Sequence, residues 1–274
     1  MDITGYAFIV GGGSGIGKAC ALTLAKDGAA GILIADISTE LASNVATECR
    51  NVATDPEFRV DSTFIDATKE DAVSAATALM VQTFGRIDYF VNCAGAGVQI
   101  AAEIADSDYG DFRRLFEINV TGAFLLLRAV SAVMRTQEPK GIKTSLGDDR
   151  GASRGAIVIL GSAASFVATP SMSQYTTSKH AVLGLVKNAA LDNVAHNIRV
   201  NCVCPSWVDT PMVQKATEGM PGFEDFIKKL VPMGRIATAG EVADTVVFLC
   251  SPRSSYVTGG GFIVDGGTTL TCHI

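Results

Sequence analysis

The sequence predicts an α/β fold in one domain, residues 1–274, built on a doubly wound parallel sheet of about seven strands with helices on both faces. Three observations carry that expectation. Short apolar runs rich in strand formers alternate with longer helical stretches along the whole chain. The first run breaks into a glycine-rich turn that opens directly into a helix. The 274 residues are 48% hydrophobic and 18% charged, and no Pro- or Ser-rich linker divides them, which suits one large core.

The first strand is expected over Ala7 to Val10, followed by Gly11-Gly-Gly-Ser-Gly-Ile-Gly17 and a helix from Lys18. Such a turn lets the backbone at Gly11, Ser14, Gly15, Ile16 and Gly17 approach a pyrophosphate and aims a helix N-terminus at it. Its spacing, Gly-x-x-x-Gly-x-Gly at 11, 15 and 17, differs from the commoner Gly-x-Gly-x-x-Gly. The second strand, Gly31 to Ala35, ends in Asp36, about twenty residues after the glycines, where a dinucleotide fold places its ribose-binding acid. A carboxylate there accepts from a 2′-hydroxyl and repels a 2′-phosphate. Neither Ile37 nor Gly12-Gly-Ser14 brings a base to reverse that, so the expected cofactor is NAD(H) rather than NADP(H). The bland alternative is an acid that only ends a strand.

Further strands are expected at Arg59 to Phe64, Tyr89 to Asn92, Ala156 to Leu160, Arg199 to Val203 and Gly261 to Val264, with helices between them. Residues 136–154, charged and glycine-containing, read as an irregular surface insertion. It meets the amino end of its strand, whereas ligands bind beyond the carboxyl ends. Residues 206–236 follow a carboxyl end instead. Trp207, Met212, Val213, Met220, Phe223, Phe226, Ile227 and Met233 stand there among few charges, with Phe166, Val167, Met172 and Val98 near other strand ends. Together they suggest a mobile apolar cover over a bulky hydrophobic substrate; singly, each is equally readable as the packing face of an ordinary helix.

Proton chemistry points to Tyr175 and Lys179, four residues apart in Ser173-Gln-Tyr-Thr-Thr-Ser-Lys-His180, with Ser162 upstream in Leu160-Gly-Ser-Ala-Ala164. A phenol exchanges protons poorly at neutral pH, its unperturbed pKa being about 10. On a helix, i and i+4 share a face, so the ammonium can stand near the ring oxygen and favour the phenolate. At ~4 Å and an effective dielectric of ~20 the pair is worth roughly 4 kcal/mol, enough to bring the phenol toward working pH. A bare Tyr-x-x-x-Lys is no more than a solvated surface pair; its company decides.

Taken together, these residues resemble the short-chain dehydrogenase/reductase family in its compact, Rossmann-type form, over nearly the whole chain. Asp66 in Phe64-Ile-Asp-Ala-Thr68 matches the family's adenine-contacting aspartate, with Ala67 beside it, and Asn92-Cys-Ala-Gly95 matches its strand-four motif, supplying Asn92, Ala94 and Gly95. Asn119 matches the helix asparagine that completes a tetrad with Ser162, Tyr175 and Lys179. Pro205-Ser-Trp-Val-Asp-Thr210 matches Pro-Gly-x-x-x-Thr, in which Pro205, Thr210 and the Val208 backbone hold the nicotinamide amide. The resemblance implies that Ser162 holds the substrate oxygen, Tyr175 exchanges its proton, Lys179 favours the phenolate and binds the nicotinamide ribose, and Asn119 holds a relay water. Val10, Cys93 and Ser206 depart from the family pattern, and Val10 forfeits a hydroxyl that would tie the glycine turn to the fourth strand. The insertion is similar to those of filamentous-fungal members working in secondary metabolism.

The resemblance also implies assembly, a homotetramer with a dimer second, through the helix pair Phe112 to Arg135 and Gln174 to Ala195 and the C-terminal tail from Leu270 to Ile274. Val120, Phe124, Leu127 and Val130, beside Ala181, Leu185 and Ala189, offer apolar faces for it, unless all of them pack on the sheet. A net charge of -6 and a pI near 5.1 argue against a nucleic-acid surface. No apolar run is expected to reach the ~18 residues of a membrane span, and no signal peptide is apparent, which favours the cytoplasm. The seven cysteines read as reduced thiols, and neither Cys202-Val-Cys204 nor the three histidines suggest a metal site. The expected activity is NAD-dependent oxidation of a bulky hydrophobic secondary alcohol such as a terpenoid, steroid-like or polyketide skeleton, acting on a CH–OH donor. A non-redox dehydratase or cyclase on the same tyrosine, and a catalytically silent NAD-binding protein, remain the alternatives.

Overall fold

The strand runs are continuously apolar because both faces of the sheet are covered. In a computed structural model, which describes residues 3–143, 147, 149–218 and 221–270, β1 (Tyr6–Val10) shows how this works. Ala7 and Ile9 face one core with α1 (Gly15–Lys26), α2 (Thr39–Val52) and α9 (Ala239–Cys250), while Phe8 and Val10 face another. That second core is closed by α3 (Glu70–Phe84), α5 (Gly122–Thr136) and α6 (Ser173–Val194). Alternation along each strand feeds the two layers in turn.

The remaining sheet strands are β2 (Gly31–Asp36), β3 (Arg59–Phe64), β4 (Tyr89–Asn92), β7 (Gly155–Leu160), β8 (Ile198–Pro205) and β9 (Gly261–Val264). They form one seven-stranded parallel sheet, as the sequence predicts, and its order is β3-β2-β1-β4-β7-β8-β9. The winding reverses between β1 and β4, and the crevice at their carboxyl ends is the place for ligand chemistry.

Three expectations are corrected. Residues 136–154 are not irregular: β5 (Lys140–Lys143) and β6 (Asp149–Ser153) pair antiparallel as a hairpin, with 144–146 and 148 outside the described residues. Charged and glycine-bearing strands exposed to water give no apolar alternation to read. The hairpin is moored at the amino end of the sheet. Gln137 Nε2 donates to the carbonyls of Ile87 (2.9 Å) and Arg154 (2.7 Å), and Lys140 Nζ lies 3.0 Å from the buried Asp88 carboxylate.

Second, α4 (Tyr109–Phe116), a π-turn (Glu117–Thr121) and α5 form one helical path, Tyr109–Thr136, that is long and apolar enough for a membrane span by length and composition, with a mean hydropathy of 1.5. Packing accounts for part of that apolarity, because Leu115, Leu126, Val130 and Met134 are fully buried. Third, Leu127 and Val130 pack in the core and offer no free face, leaving Phe124 exposed and Val120, Ala181, Leu185 and Ala189 half-buried. Met220 and residues 271–274, with Cys272 and His273, lie outside the described residues.

Candidate active site

The glycine turn is packed too tightly for side chains. A Cβ on Gly17 would stand 2.0 Å from the Gly11 carbonyl oxygen, and one on Gly13 would stand 2.8 Å from Asp36 Oδ2. Gly11 and Gly15 adopt φ of 72° and 51°, which favour glycine. Ser14 caps α1 without a side-chain hydrogen bond, and no acidic side chain stands in the first turn with Ile16, so the free N–H groups there suit an anion. Asp36 closes the far side: its Oδ2 accepts from Gly13 N–H (2.8 Å) and its Oδ1 from Ser38 N–H (3.0 Å). Its neighbour Ile37 is 69% exposed and uncharged. These residues fit the adenosine and pyrophosphate part of a dinucleotide.

With no hydroxyl at Val10, the glycine turn meets β4 through main chain. Cys93 N–H donates to the Val10 carbonyl at 2.8 Å, and Gly11 lies against Cys93 and Ala94 so closely that a Cβ would meet Ala94 N at 2.5 Å. Cys93 also shares a thiol hydrogen bond with Cys20 of α1, which together with burial pushes the Cys20 thiol up. Asn92, buried, accepts from Ala94 N–H at 3.0 Å. Asp66 Oδ1 accepts from the Thr68 hydroxyl (2.7 Å) and N–H (3.0 Å), and chiefly the hydroxyl bond holds its carboxyl below the usual range. Ala67 packs on Gly122 at the start of α5.

The motif of residues 205–210 at the end of β8 reaches the same crevice. Beyond Pro205, ladder bonds to Ala237 run through Trp207 and Asp209, so the N–H and C=O of Val208 turn the other way, and its carbonyl accepts from Thr210 Oγ1 at 3.2 Å. Thr210 caps α7 (Pro211–Thr217) and lies across from Gly15, its Cγ2 3.3 Å from where a Gly15 Cβ would stand. Ser206, the departure from glycine, ties its hydroxyl to the Asp265 carbonyl at 3.2 Å.

On the opposite wall, α6 brings Tyr175 and Lys179 together. Lys179 Nζ lies 5.7 Å from the Tyr175 ring centroid and donates to the Leu160 carbonyl at 3.1 Å. Ser162, at the end of β7, accepts from Ala164 N–H at 3.1 Å, which leaves its own proton free to donate. Asn119 sits in the π-turn. Its Oδ1 accepts from Ala96 N–H (2.8 Å), and its Nδ2 donates to the Ala96 carbonyl (3.1 Å) and Ser178 Oγ (3.0 Å). With both amide hydrogens engaged, Asn119 can hold a water only through an oxygen. Gly95 keeps this corner open, since a Cβ there would stand 3.3 Å from Asn119 Oδ1 and 3.6 Å from Lys179 Nζ.

The covering segment carries α7 and α8 (Phe223–Leu230). Trp207 meets Phe223 edge-on at 5.8 Å, and Phe223 stacks on Phe226 at 6.2 Å. Ile227 is fully buried, while Met212 is half exposed and stands beside Gly97. Phe166 turns elsewhere, its ring tip against Gly261 and near Leu183, toward β9. Sequence reasoning missed Gly13, which accommodates Asp36, and Ser178, which joins Asn119 to the Tyr175 carbonyl (Oγ to O, 2.8 Å). Gly13 was visible as the third glycine of the run, and Ser178 as the hydroxyl preceding Lys179.

A family profile described as Enoyl-(Acyl carrier protein) reductase matches residues 10–269. The short-chain dehydrogenase fogB of Aspergillus ruber is 61% identical over 271 residues, 99% of each chain. The mitochondrial borneol dehydrogenase of Lavandula x intermedia is 34% identical over 266 residues, 96% of this chain and 90% of that one. Levodione reductase superposes with a TM-score of 0.87 at 30% identity, over 98% of this chain and all of its own. With its strand order, glycine turn and Tyr175 and Lys179 on one helix, the chain belongs to the short-chain dehydrogenase/reductase family, oxidoreductases whose Rossmann fold binds a nicotinamide cofactor, NAD or NADP.

Proposed function

We propose that this protein is an NAD-dependent dehydrogenase of a bulky hydrophobic secondary alcohol, a single domain working in the oxidation direction. The observation that carries the reading is the meeting of Ser162, Tyr175, Lys179 and Asn119 at the carboxyl ends of β4 and β7, across the crevice from the glycine turn. Ser162 Oγ–H donates to the substrate oxygen, and Tyr175 takes the hydroxyl proton as the carbon gives up hydride. Lys179 sets positive charge beside the ring whose oxygen turns negative when its proton leaves, and holds the nicotinamide ribose. Asn119 clamps Ala96 and holds a relay water by an oxygen. The bound nicotinamide supplies the hydride acceptor.

NAD is favoured because Asp36 presents a carboxylate held by two N–H groups, with no cation beside it in the turn or at Ile37. Gly11, Ser14, Gly15, Ile16 and Gly17 take the pyrophosphate, Asp66, Ala67, Asn92, Ala94 and Gly95 the adenosine side and floor, and Pro205, Val208 and Thr210 the nicotinamide amide. The half-exposed Trp207, Met212 and the Phe223 and Phe226 rings support a bulky apolar substrate, in keeping with the borneol dehydrogenase relative. The Aspergillus ruber relative supports a fungal short-chain dehydrogenase, for which we propose a place in secondary metabolism, and the free thiols at six positions among the described residues support the cytoplasm.

Turnover of hydrophobic secondary alcohols with NAD should raise absorbance at the reduced-nicotinamide band. Tyr175→Phe should keep NAD affinity and lower kcat by on the order of 10²–10⁴. A flat absorbance during product formation points to the non-redox reading. A Tyr175→Phe enzyme keeping a tenth of wild-type kcat, with chemistry rate-limiting, removes the assignment.

A further inference from the structure

A buried carboxylate outside the residues above joins three segments that shape the site. Asp111, on α4, is 6% exposed. Its Oδ1 accepts from Arg114 Nε (2.9 Å) and Nη2 (2.7 Å), and its Oδ2 from Gln99 N–H (3.2 Å) and Gln174 Nε2 (3.3 Å). Arg114 Nη2 also donates to the Gly97 carbonyl at 2.8 Å. Gly97 and Gln99 continue the stretch that carries Gly95 and Ala96. Gln174, 1% exposed, immediately precedes Tyr175. The helix bearing Asp111 runs into the π-turn that bears Asn119.

Four donors therefore converge on two oxygens, from three separate segments. A carboxylate satisfies them all because it is acceptor-only; an amide would turn two hydrogens of its own onto one pair of donors. Ser173 Oγ donates to Gln174 Oε1 at 3.1 Å, which fixes the amide end that faces Asp111. An ion pair serving α4 alone would need only Arg114, three residues along the same helix. The bonds to Gln99 and Gln174 do nothing for that helix; they cross to the loop and to the first turn of α6.

We propose that Asp111, through Gln174, is a positioning residue that sets the first turn of α6 against the loop of residues 95–99, and so aims Tyr175 at the substrate oxygen. The proposal rests on Tyr175 being the proton carrier. Its test swaps the donor and the acceptor. Asp111→Asn and Gln174→Glu each break the contact, by opposed donors and by opposed carboxylates, and should each lower kcat by on the order of 10², the cost of a misplacement of about 1 Å. NAD affinity, read by titration, should fall far less than kcat, because the glycine turn, Asp36, Asp66 and Thr210 lie on other elements and only Gly95 and Lys179 share the disturbed segments. The double variant restores one donor facing one carboxylate while leaving Gln99 N–H, which shares Oδ2, without its acceptor, and should recover part of kcat. Gln174→Glu alone should regain activity on acidification, when one carboxyl of the pair protonates, a response that loss of folding does not produce. Amide hydrogen exchange over residues 95–99 and 172–176 should quicken in the single variants and slow again in the double one, whichever substrate is used. Single variants at wild-type kcat and exchange, or a double variant no better than the worse single, would overturn the positioning role. A wild type inactive on every alcohol, with the exchange pattern as expected, would instead tell against the reading of Tyr175.

Discussion

Asp36 is the residue whose surroundings bear most directly on cofactor choice. Both of its oxygens accept a main-chain N–H, so the carboxylate stands at a set position at the end of β2 and keeps lone pairs for a ribose. Asp36→Ala should weaken NAD and relieve the exclusion of NADP, since the acceptor and the repelling charge disappear together. The ratio of kcat/KM for the two cofactors measures this, and a wild type that already prefers NADP contradicts it. The cysteines tell a different story. Burial pushes Cys49 and Cys250 up to about 12, so neither is a thiolate at neutral pH and neither competes with Tyr175 as a proton carrier.

Among the elements, the hairpin β5/β6 and the covering segment differ in where they meet the sheet. The hairpin hangs from the amino end, tied by Gln137 and by Lys140 to Asp88, while Tyr175 and the glycine turn lie at the carboxyl end. Replacing residues 141–152 by an Asn-Gly turn, which joins the paired Lys140 and Ser153, should leave kcat/KM within about twofold of wild type. A large loss would show that the hairpin reaches the chemistry. The covering segment offers the contrast, because Trp207, Phe223 and Phe226 form an aromatic run directly after the nicotinamide motif.

Across the whole molecule, carboxylates held below their usual range contribute to the acid limit, among them Asp66, Asp111, Asp265 and the exposed Glu241, which its Arg235 partner draws down to about 2. The Thr68 hydroxyl holds Asp66 below the usual carboxylate range. Burial pushes Asp111 up but is outweighed by the hydrogen bonds of Arg114, Gln99 and Gln174, and burial of Asp265 is likewise outweighed by the N–H groups of Thr269 and Gly267. Each folded-state value is depressed, so the unfolded chain binds more protons as pH falls. Their stabilisation is full above the unfolded carboxylate value of about 4 and is lost as pH drops below it. Denaturant midpoints should therefore be level near neutrality and fall steeply below about pH 4, with a shallower fall in Asp111→Asn. Midpoints that rise on acidification would contradict this sign. The second whole-molecule expectation is assembly. Phe124, Leu191 (75% exposed) and Val194 leave apolar surface on α5 and α6, and Leu270 leaves more at the C-terminal end. Light scattering behind a sizing column should give a homotetramer, or failing that a dimer, and a monomer mass at micromolar concentration refutes both.

Much of this was written locally in the chain. Strands buried on both faces are uninterrupted apolar runs, a glycine turn needs glycines, and Tyr175 and Lys179 need only helical spacing to share a face. Each is a relation between residues within a turn or a strand of one another, which periodicity carries. The parallel, doubly wound class followed as well, because strands alternating with helices favour a parallel sheet covered on both faces, while the strand order is fixed by the tertiary structure. What stayed out of reach depends on partners far apart. The hairpin has no apolar alternation of its own and is held by Ile87, Asp88 and Arg154. The π-turn at Asn119 is stitched to Ala96 and Ser178, and Asp111 meets Gln174 across 63 positions of sequence. Leu127 and Val130 look like Phe124 in a helical repeat, yet only the packing of α5 on the sheet sends them inward and leaves Phe124 in water. A side chain's periodicity names its face on the helix, and the neighbour that buries this face is chosen by the close packing of the whole domain.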